Sequence, residues 1–402
     1  MKNFTWTIIA NLLSAVVKWS YIIFIARILA KEDVGLYSLA LALSAPIALF
    51  FNFRLRTLFV TKYNYNFYNY QFIRNILDLL SILVIFIVSF IAYSDYLIII
   101  LLVGLIKIMD LRSELYYAIP NFFGNLKTPS ILLIVKYIIN FIIFSTSLFL
   151  WNDLALTLTY IVLFQLIYLI FIERVLCKKY LLEEDATKNY IGALLKIGLS
   201  LGFIQLVVSL NANIPKYIIE NLLSLKELAD FSILVYIFTI GNIFVSALIQ
   251  NLLPHLRNLY NKKDITQIKK IVFNRIVISV IPLSIITIII VYFYGIEFIG
   301  FIYGDSYIND TNEIVLIVLV IALFVNAYSA VIDNTLILFN LIKKQIYISL
   351  FMVVFTIVLG YIFIINYGLI GAALSILFAN FIQLVMRIIY LIFNMDKEVN
   401  NN

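Results

Sequence analysis

Twelve apolar runs follow one another along the chain, each too long for a strand and too numerous for a soluble core. They lie near 4–29, 34–54, 76–94, 97–119, 129–150, 154–175, 191–213, 229–253, 275–294, 313–335, 345–365 and 369–393. At the rise of an α-helix, about 20 such residues cross the hydrocarbon layer of a bilayer. The runs are continuous and lack apolar–polar alternation. That argues against a β-barrel and for helices, which satisfy their own backbone hydrogen bonds in lipid. The first run is too long for a signal core, contains Lys18, and is followed by Lys31-Glu32-Asp33 rather than by small residues. It reads as a permanent helix.

Composition narrows the chemistry. Of 402 residues, 64% are hydrophobic and 13% charged, and mean hydropathy is +1.05. Surface scales too steeply with size for a soluble fold to bury that much apolar side chain. The single cysteine, Cys177, and single histidine, His255, exclude a disulfide framework, a thiolate cluster and a histidine-built metal site. No Gly-Lys-Ser/Thr phosphate loop is present, so no cofactor is expected. The formal charge of +7 has a topogenic reading. With the N-terminus inside, twenty-one Lys and Arg fall on cytoplasmic segments and four (Arg27, Lys31, Lys216, Lys226) outside. This bias puts both termini in the cytoplasm and leaves no reason to expect a nucleic-acid partner.

The links between runs sort the function classes. External links are short, as at Ser94-Asp95-Tyr96, Trp151-Asn152-Asp153 and Asn366-Tyr367-Gly368. The longest, around 294–312, leaves no room for an extracytoplasmic catalytic domain. A membrane glycosyltransferase or polymerase would need its carboxylates there, and Glu297, Asp305, Asp310 and Glu313 sit on too short a link. The expectation is therefore a protein that is not an enzyme. A charged cytoplasmic linker at 177–190 divides an N-terminal six-helix lobe, 1–176, from a C-terminal one, 191–402. The segment Lys31-Glu32-Asp33-Val34-Gly35-Leu36-Tyr37-Ser38 after the first run has an echo after the seventh, Lys226-Glu227-Leu228-Ala229-Asp230-Phe231-Ser232-Ile233. Both lobes start on the same side, so the repeat is parallel, an arrangement that places substrate between rocking halves.

Four stretches carry a family resemblance. They are Ala26-Arg27-Ile28-Leu29 with Glu32-Asp33-Val34-Gly35-Leu36-Tyr37; Asn213-Ile214-Pro215-Lys216-Tyr217-Ile218-Ile219-Glu220 with Leu228-Ala229-Asp230-Phe231-Ser232; Phe301-Ile302-Tyr303-Gly304-Asp305-Ser306-Tyr307; and Tyr367-Gly368-Leu369-Ile370-Gly371-Ala372-Ala373. In this order the chain resembles the polysaccharide transporters, the O-antigen and capsule repeat-unit flippases of the multidrug, oligosaccharidyl-lipid and polysaccharide exporter superfamily. Asp230 departs from the glycine frequent in that family. The resemblance implies an all-α polytopic membrane protein with two six-helix lobes, V-shaped like the superfamily's multidrug (MATE) exporters, in the bacterial cytoplasmic (inner) membrane. It implies transfer of a polyprenyl-diphosphate-linked sugar unit from inner to outer leaflet. A polymerase and other polysaccharide-assembly proteins are the partners it suggests.

An ionisable group in the bilayer interior costs roughly 2.5–3.5 kcal/mol on insertion scales, so each needs a reason. Lys18, Lys107, Lys136 and Lys196 fall within runs, whereas Asp78, Asp110, Glu114 and Asp333 lie nearer cytoplasmic ends. The central zone is therefore expected to be net positive and to suit a diphosphate headgroup. Lys18 has no carboxylate within four residues on its helix, and Lys136 has Asn140 one turn on; both are expected to line a cavity. Lys107 shares a helix face with Asp110 and Glu114, as substrate contact or as an intrahelical pair. Lys196 either lines the cavity or snorkels to the inner interface. Arg54 and Arg56 are either topogenic or part of a cytoplasmic gate.

Polar stripes mark other helix faces: Asn242, Ser246 and Gln250; Asn326, Ser329 and Asp333; Asn380, Gln383 and Arg387. They either bind sugar hydroxyls or join helices. Coupling to a proton or sodium gradient requires a carboxylate, with Asp110, Glu114 and Asp333 the candidates. Two rivals share the fold. A cation-coupled drug exporter should have an acidic, aromatic cavity rather than a lysine-lined one. A peptidoglycan lipid-precursor flippase often has more than twelve helices.

Overall fold

Each apolar run becomes a helix in the computed structural model, which describes residues 2–61, 67–181, 191–339 and 341–400. The side chains of 2–4, 240, 243, 244, 246–248, 250, 251, 254, 342–346 and 396–400 lie outside the described residues. By internal packing the chain forms two compact units, Met1–Leu210 and Asn211–Asn402.

The first unit contains α1 (Lys2–Ile28), α2 (Lys31–Phe50), α3 (Leu55–Thr61), α4 (Phe67–Ala92), α5 (Leu97–Phe122), α6 (Lys127–Trp151), α7 (Leu154–Tyr168) and α8 (Arg174–Lys178). A π-helical turn, Leu169–Glu173, joins α7 to α8 without breaking the rod. The unit also takes the first half of α9 (Ile191–Leu222). The packing boundary thus falls inside α9 rather than in the stretch 177–190, of which 182–190 lies outside the described residues. The reason is local. Leu194 belongs to the first unit's hydrophobic core, and Ile191, Ile197 and Leu201 pack against it.

That contact depends on backbone approach. The turn after α2 puts Phe53 and Arg54 at φ 51° and 49°, a left-handed region that bulky residues rarely occupy. The buried Phe53 ring lies on Gly198, and a Cβ on Gly202 would collide with the Phe50 carbonyl oxygen. This glycine pair, four residues apart, is the small-residue spacing by which membrane helices pack closely.

The second unit contains the rest of α9, then α10 (Leu225–Asn261), α11 (Ile265–Lys270), α12 (Ile276–Tyr303), α13 (Asp310–Leu338) and α14 (Ile342–Asn400). The two units begin alike. A two-residue link, Leu29-Ala30 or Leu223-Ser224, separates the first helix from the second. Asp33 accepts from the Ala30 backbone N–H at 3.2 Å, and Ser224 accepts from the Glu227 N–H at 3.2 Å, satisfying amides that a helix start leaves open. The 59-residue α14 is broken at Gly368 (φ 55°, ψ −133°), in the short link expected between the last two runs.

Among the described residues, nine helical segments are long and apolar enough to cross a membrane. The protein is a multi-pass membrane protein. Two of the longer helices fall outside that set, α5 and α10. Every window of α5 long enough to span includes Lys107, Asp110, Arg112 and Glu114. The continuous stretch Tyr347–Met395 counts once although Gly368 divides it.

Candidate functional site: a charge chain in the first unit

The charges of α5 recur every three or four residues, at Lys107, Asp110, Glu114 and then Tyr117, so they share one helix face. Three other segments of the unit supply partners. Lys18 of α1 and Lys136 of α6 each place Nζ 3.0 Å from the Asp110 carboxylate. The Tyr137 hydroxyl donates to the same carboxylate at 2.9 Å, and its ring lies 5.1 Å from the Lys18 ammonium. Lys136 Nζ also donates to Ser113 Oγ at 3.0 Å and sits 3.8 Å from Glu173. Glu173, fully buried in the π-helical turn, accepts from Ser113 Oγ at 2.5 Å and from the Tyr117 hydroxyl.

The result is an alternating chain, Lys18–Asp110–Lys136–Glu173. Its ends differ in access. The Lys18 side chain is 49% exposed, whereas Asp110 is 13%, Lys136 1% and Glu173 0% exposed. Lys136 is therefore an internal strut in this state, and Lys18 is both ion-paired and accessible. Asn140, one turn from Lys136, is fully buried, and neither amide atom has a protein partner. Lys107 and Glu114 flank Asp110 on α5, half-buried. Neither makes a hydrogen bond or ion pair among the described residues.

Glu173 changes the electrostatic picture. It lies inside the expected run 154–175, yet the charge count of the runs omitted it. With Glu173 included, the three lysines around the α5 charge face (Lys18, Lys107, Lys136) are matched by three carboxylates (Asp110, Glu114, Glu173). The net-positive zone expected from sequence is corrected to a balanced one with a positive accessible end. The acid stands at the end of an apolar run beside Arg174, where it reads as a flanking charge, and its partner Lys136 is on another helix.

A second polar group joins α2, α4 and α5. Arg74, 1% exposed, pairs with Asp78 and donates to Asn52 Oδ1 at 3.2 Å. Arg112 reaches Asp78 at 2.5 Å and Asn75 at 2.8 Å. Arg74 and Arg112, both counted toward the positive-inside bias, thus also tie helices together through Asp78. Arg54 is exposed in its turn, Arg56 half-buried on α3, and neither has an ion-pair partner among the described residues. Lys196 is exposed on α9.

The second unit brings together members of all three expected stripes. Asn326 Nδ2 donates to Asn242 Oδ1 at 2.8 Å, joining α13 to α10. Arg387 of α14 reaches Ser329 at 2.8 Å and Asp333 at 2.9 Å, both on α13. Asn380 and Gln383 are half-buried on α14 and make no hydrogen bond among the described residues. The side chains of Ser246 and Gln250 lie outside the described residues. Lys216, expected at the external surface, is only 8% exposed and lies 5.9 Å from the Tyr236 ring.

Comparison with known proteins sets this arrangement in context. The family described as "Polysaccharide biosynthesis protein" matches residues 1–260. The capsular polysaccharide biosynthesis protein CapF of Staphylococcus aureus is 29% identical over 388 residues, covering 96% of this chain and 97% of that protein. Among solved structures, an inward-facing multidrug resistance MATE family transporter of the MOP superfamily aligns with TM-score 0.70 at 12% identity, over 96% of both chains. The lipid II flippase MurJ, in an inward closed conformation, aligns with TM-score 0.67 at 14% identity, over 96% of this chain and 87% of that one. The fold is that of these transporters.

Proposed function

We propose that this chain, which belongs to the polysaccharide biosynthesis protein family, is a flippase that moves polyprenyl-diphosphate-linked oligosaccharide repeat units of a surface polysaccharide from the inner to the outer leaflet. One observation carries the reading. Within an apolar helix stands a lysine, Lys18, whose side chain is 49% exposed while its ammonium is held on a buried carboxylate. A cation exposed at membrane depth is expensive unless it faces water or an anionic ligand. A diphosphate is the anionic part of the proposed substrate, and the relative at 29% identity is named for capsular polysaccharide biosynthesis.

The topology follows the charge bias. The nine apolar segments, with α5, α10 and the division of α14 at Gly368, make twelve crossings with both termini cytoplasmic. The two six-helix lobes, 1–176 and 191–402, rock as alternating-access halves. The membrane is the bacterial cytoplasmic membrane, where polyprenyl-linked units are assembled.

Deleting the gene tests the reading. Lipid-linked sugars are extracted and surface polysaccharide is blotted. Loss of surface polymer with single repeat units accumulating on polyprenyl diphosphate at the inner leaflet is the expected result. Unchanged polysaccharide with new sensitivity to cationic drugs points to a drug exporter instead. Single units that reach the outer leaflet but are never joined point to a polymerase.

A further inference from the structure

We propose that Glu173 is a proton-binding site linked to anion capture at Lys18: as an anionic headgroup docks on the Lys18 ammonium, one proton from solvent bonds to a carboxylate oxygen of Glu173. The inference deepens the flippase reading and rests on it for the identity of the anion.

The first step is charge balance. Lys18, Asp110, Lys136 and Glu173 together carry no net charge, and three of the four are at most 13% exposed. An anion arriving at Lys18 competes with Asp110 for the ammonium. Once Lys18 turns to the anion, Asp110, Lys136 and Glu173 are left with one excess negative charge in a poorly solvated interior. Uncompensated buried charge is among the costliest arrangements in a protein, and a proton removes it.

The second step is which carboxylate takes the proton. Asp110 retains the Lys136 ammonium at 3.0 Å and the Tyr137 phenol at 2.9 Å. Glu114 is half-buried rather than sealed in the interior. Glu173 is fully buried, and its nearest cation stands 3.8 Å away, beyond hydrogen-bond reach. The charged and titratable groups facing it are Lys136 and Tyr137 from α6, Tyr116 and Tyr117 from α5, and Tyr168 and Cys177 from its own rod. Of these only Lys136 carries charge at neutral pH, and Asp110 shares it.

The third step is a hydrogen-bond exchange already built at Ser113. Its hydroxyl has two acceptors in reach, Glu173 Oε2 at 2.5 Å and the Met109 carbonyl oxygen at 3.0 Å. With Glu173 ionised, Ser113 donates to it. With Glu173 protonated on Oε2, the new O–H donates to Ser113 Oγ, and Ser113 turns its proton to Met109. Lys136 donates to the same Oγ in both states. No donor or acceptor is orphaned either way, which is what a group that changes protonation in a dry interior requires. The π-helical turn fits this role, since such turns often mark functional positions.

Infrared difference spectroscopy on the purified full chain in lipid nanodiscs tests the link, with inorganic pyrophosphate as the probe and calorimetry to register its binding. The parent protein should gain one protonated-carboxyl band when pyrophosphate binds, and Glu173→Gln should gain none. Lys18→Met, which removes the balancing cation permanently, should carry the band before any anion is added. Should Glu173→Gln not fold, Ser113→Ala serves in its place, because losing the hydrogen-bond partner must shift the band. Pyrophosphate binding without a carboxyl band overturns the inference and leaves the flippase reading standing. So does a band unaltered in Glu173→Gln or Ser113→Ala, or a Lys18→Met protein that lacks it. Failure of pyrophosphate to bind the parent protein overturns the inference and the headgroup reading together.

Discussion

The two units open with the same two-residue helix link and a capped second helix, yet their interiors are built from different chemistry. The first unit holds an alternating chain of two lysines and two carboxylates drawn from four segments. The second holds a neutral amide pair, Asn242–Asn326, and an ion pair, Asp333–Arg387, at 13–26% exposure. Removing a member of a neutral amide pair leaves a weak dipole, while removing a member of a buried ion chain leaves a charge. The difference teaches that two units that open alike need not share their electrostatics. Under the proposed function, the first unit takes the ionic headgroup and the second offers hydroxyl-matching donors and acceptors.

Breaking the comparison at its strongest point means removing Lys136. It is 1% exposed and bridges both carboxylates, so Lys136→Met leaves Asp110 and Glu173 facing each other without a buried cation. Loss of one partner from a buried pair costs roughly 3–5 kcal/mol. Export should disappear and the melting temperature of the purified protein should drop. Adding Glu173→Gln to Lys136→Met should recover part of the stability, because one of the stranded charges is then gone. A Lys136→Met protein as stable as the parent would contradict the charge chain outright.

Lys18 sharpens the contrast between function and stability. Half-exposed, it contributes little to folding, since solvent screens its pair with Asp110. Lys18→Ala should therefore abolish export while the protein stays inserted and abundant, as read by complementation of a deletion strain beside a membrane immunoblot. Normal export by this variant would remove Lys18 from the headgroup site.

How much of this was legible in the sequence depends on whether the signal is local. Twelve apolar runs map onto helices because length and hydropathy are properties of contiguous residues. Lys18, Asp110 and Lys136 stand out singly as charges in apolar runs for the same reason. Their pairing is invisible, because Asp110 meets lysines from α1 and α6 that are 92 residues before it and 26 after it. Glu173 was hidden differently: it precedes Arg174 at the end of a run and reads as part of a cytoplasmic flank. The packing boundary inside α9 could not be read either. It depends on Gly198 and Gly202 admitting the Phe53 turn, a contact between segments about 150 residues apart.

A milder perturbation belongs to the second unit. Asn326→Ala removes the 2.8 Å amide bond between α13 and α10. Interhelical hydrogen bonds in membranes are worth about 0.6 kcal/mol on average. The expected result is a small fall in thermal stability and reduced, not abolished, export. Complete loss of export with intact stability would instead give Asn326 a direct role with the sugar, and the second unit would then be as specialised for substrate as the first.

The smallest effect is expected on α9, the helix that both units share. Lys196 lies in its first half, exposed, with no ion-pair partner among the described residues; Lys216 lies in its second half, 8% exposed under the Tyr236 ring. An exposed lysine near a membrane surface carries its charge in water and covers apolar surface with its stem. Its removal should change stability by about 0.5 kcal/mol or less. Lys196→Ala should consequently leave surface polysaccharide at the parental level, while the same blot records none for Lys18→Ala. If Lys196→Ala also silences export with the protein still in the membrane, snorkelling is the wrong account. The cationic site would then extend along α9, beyond the chain of four that the first unit holds.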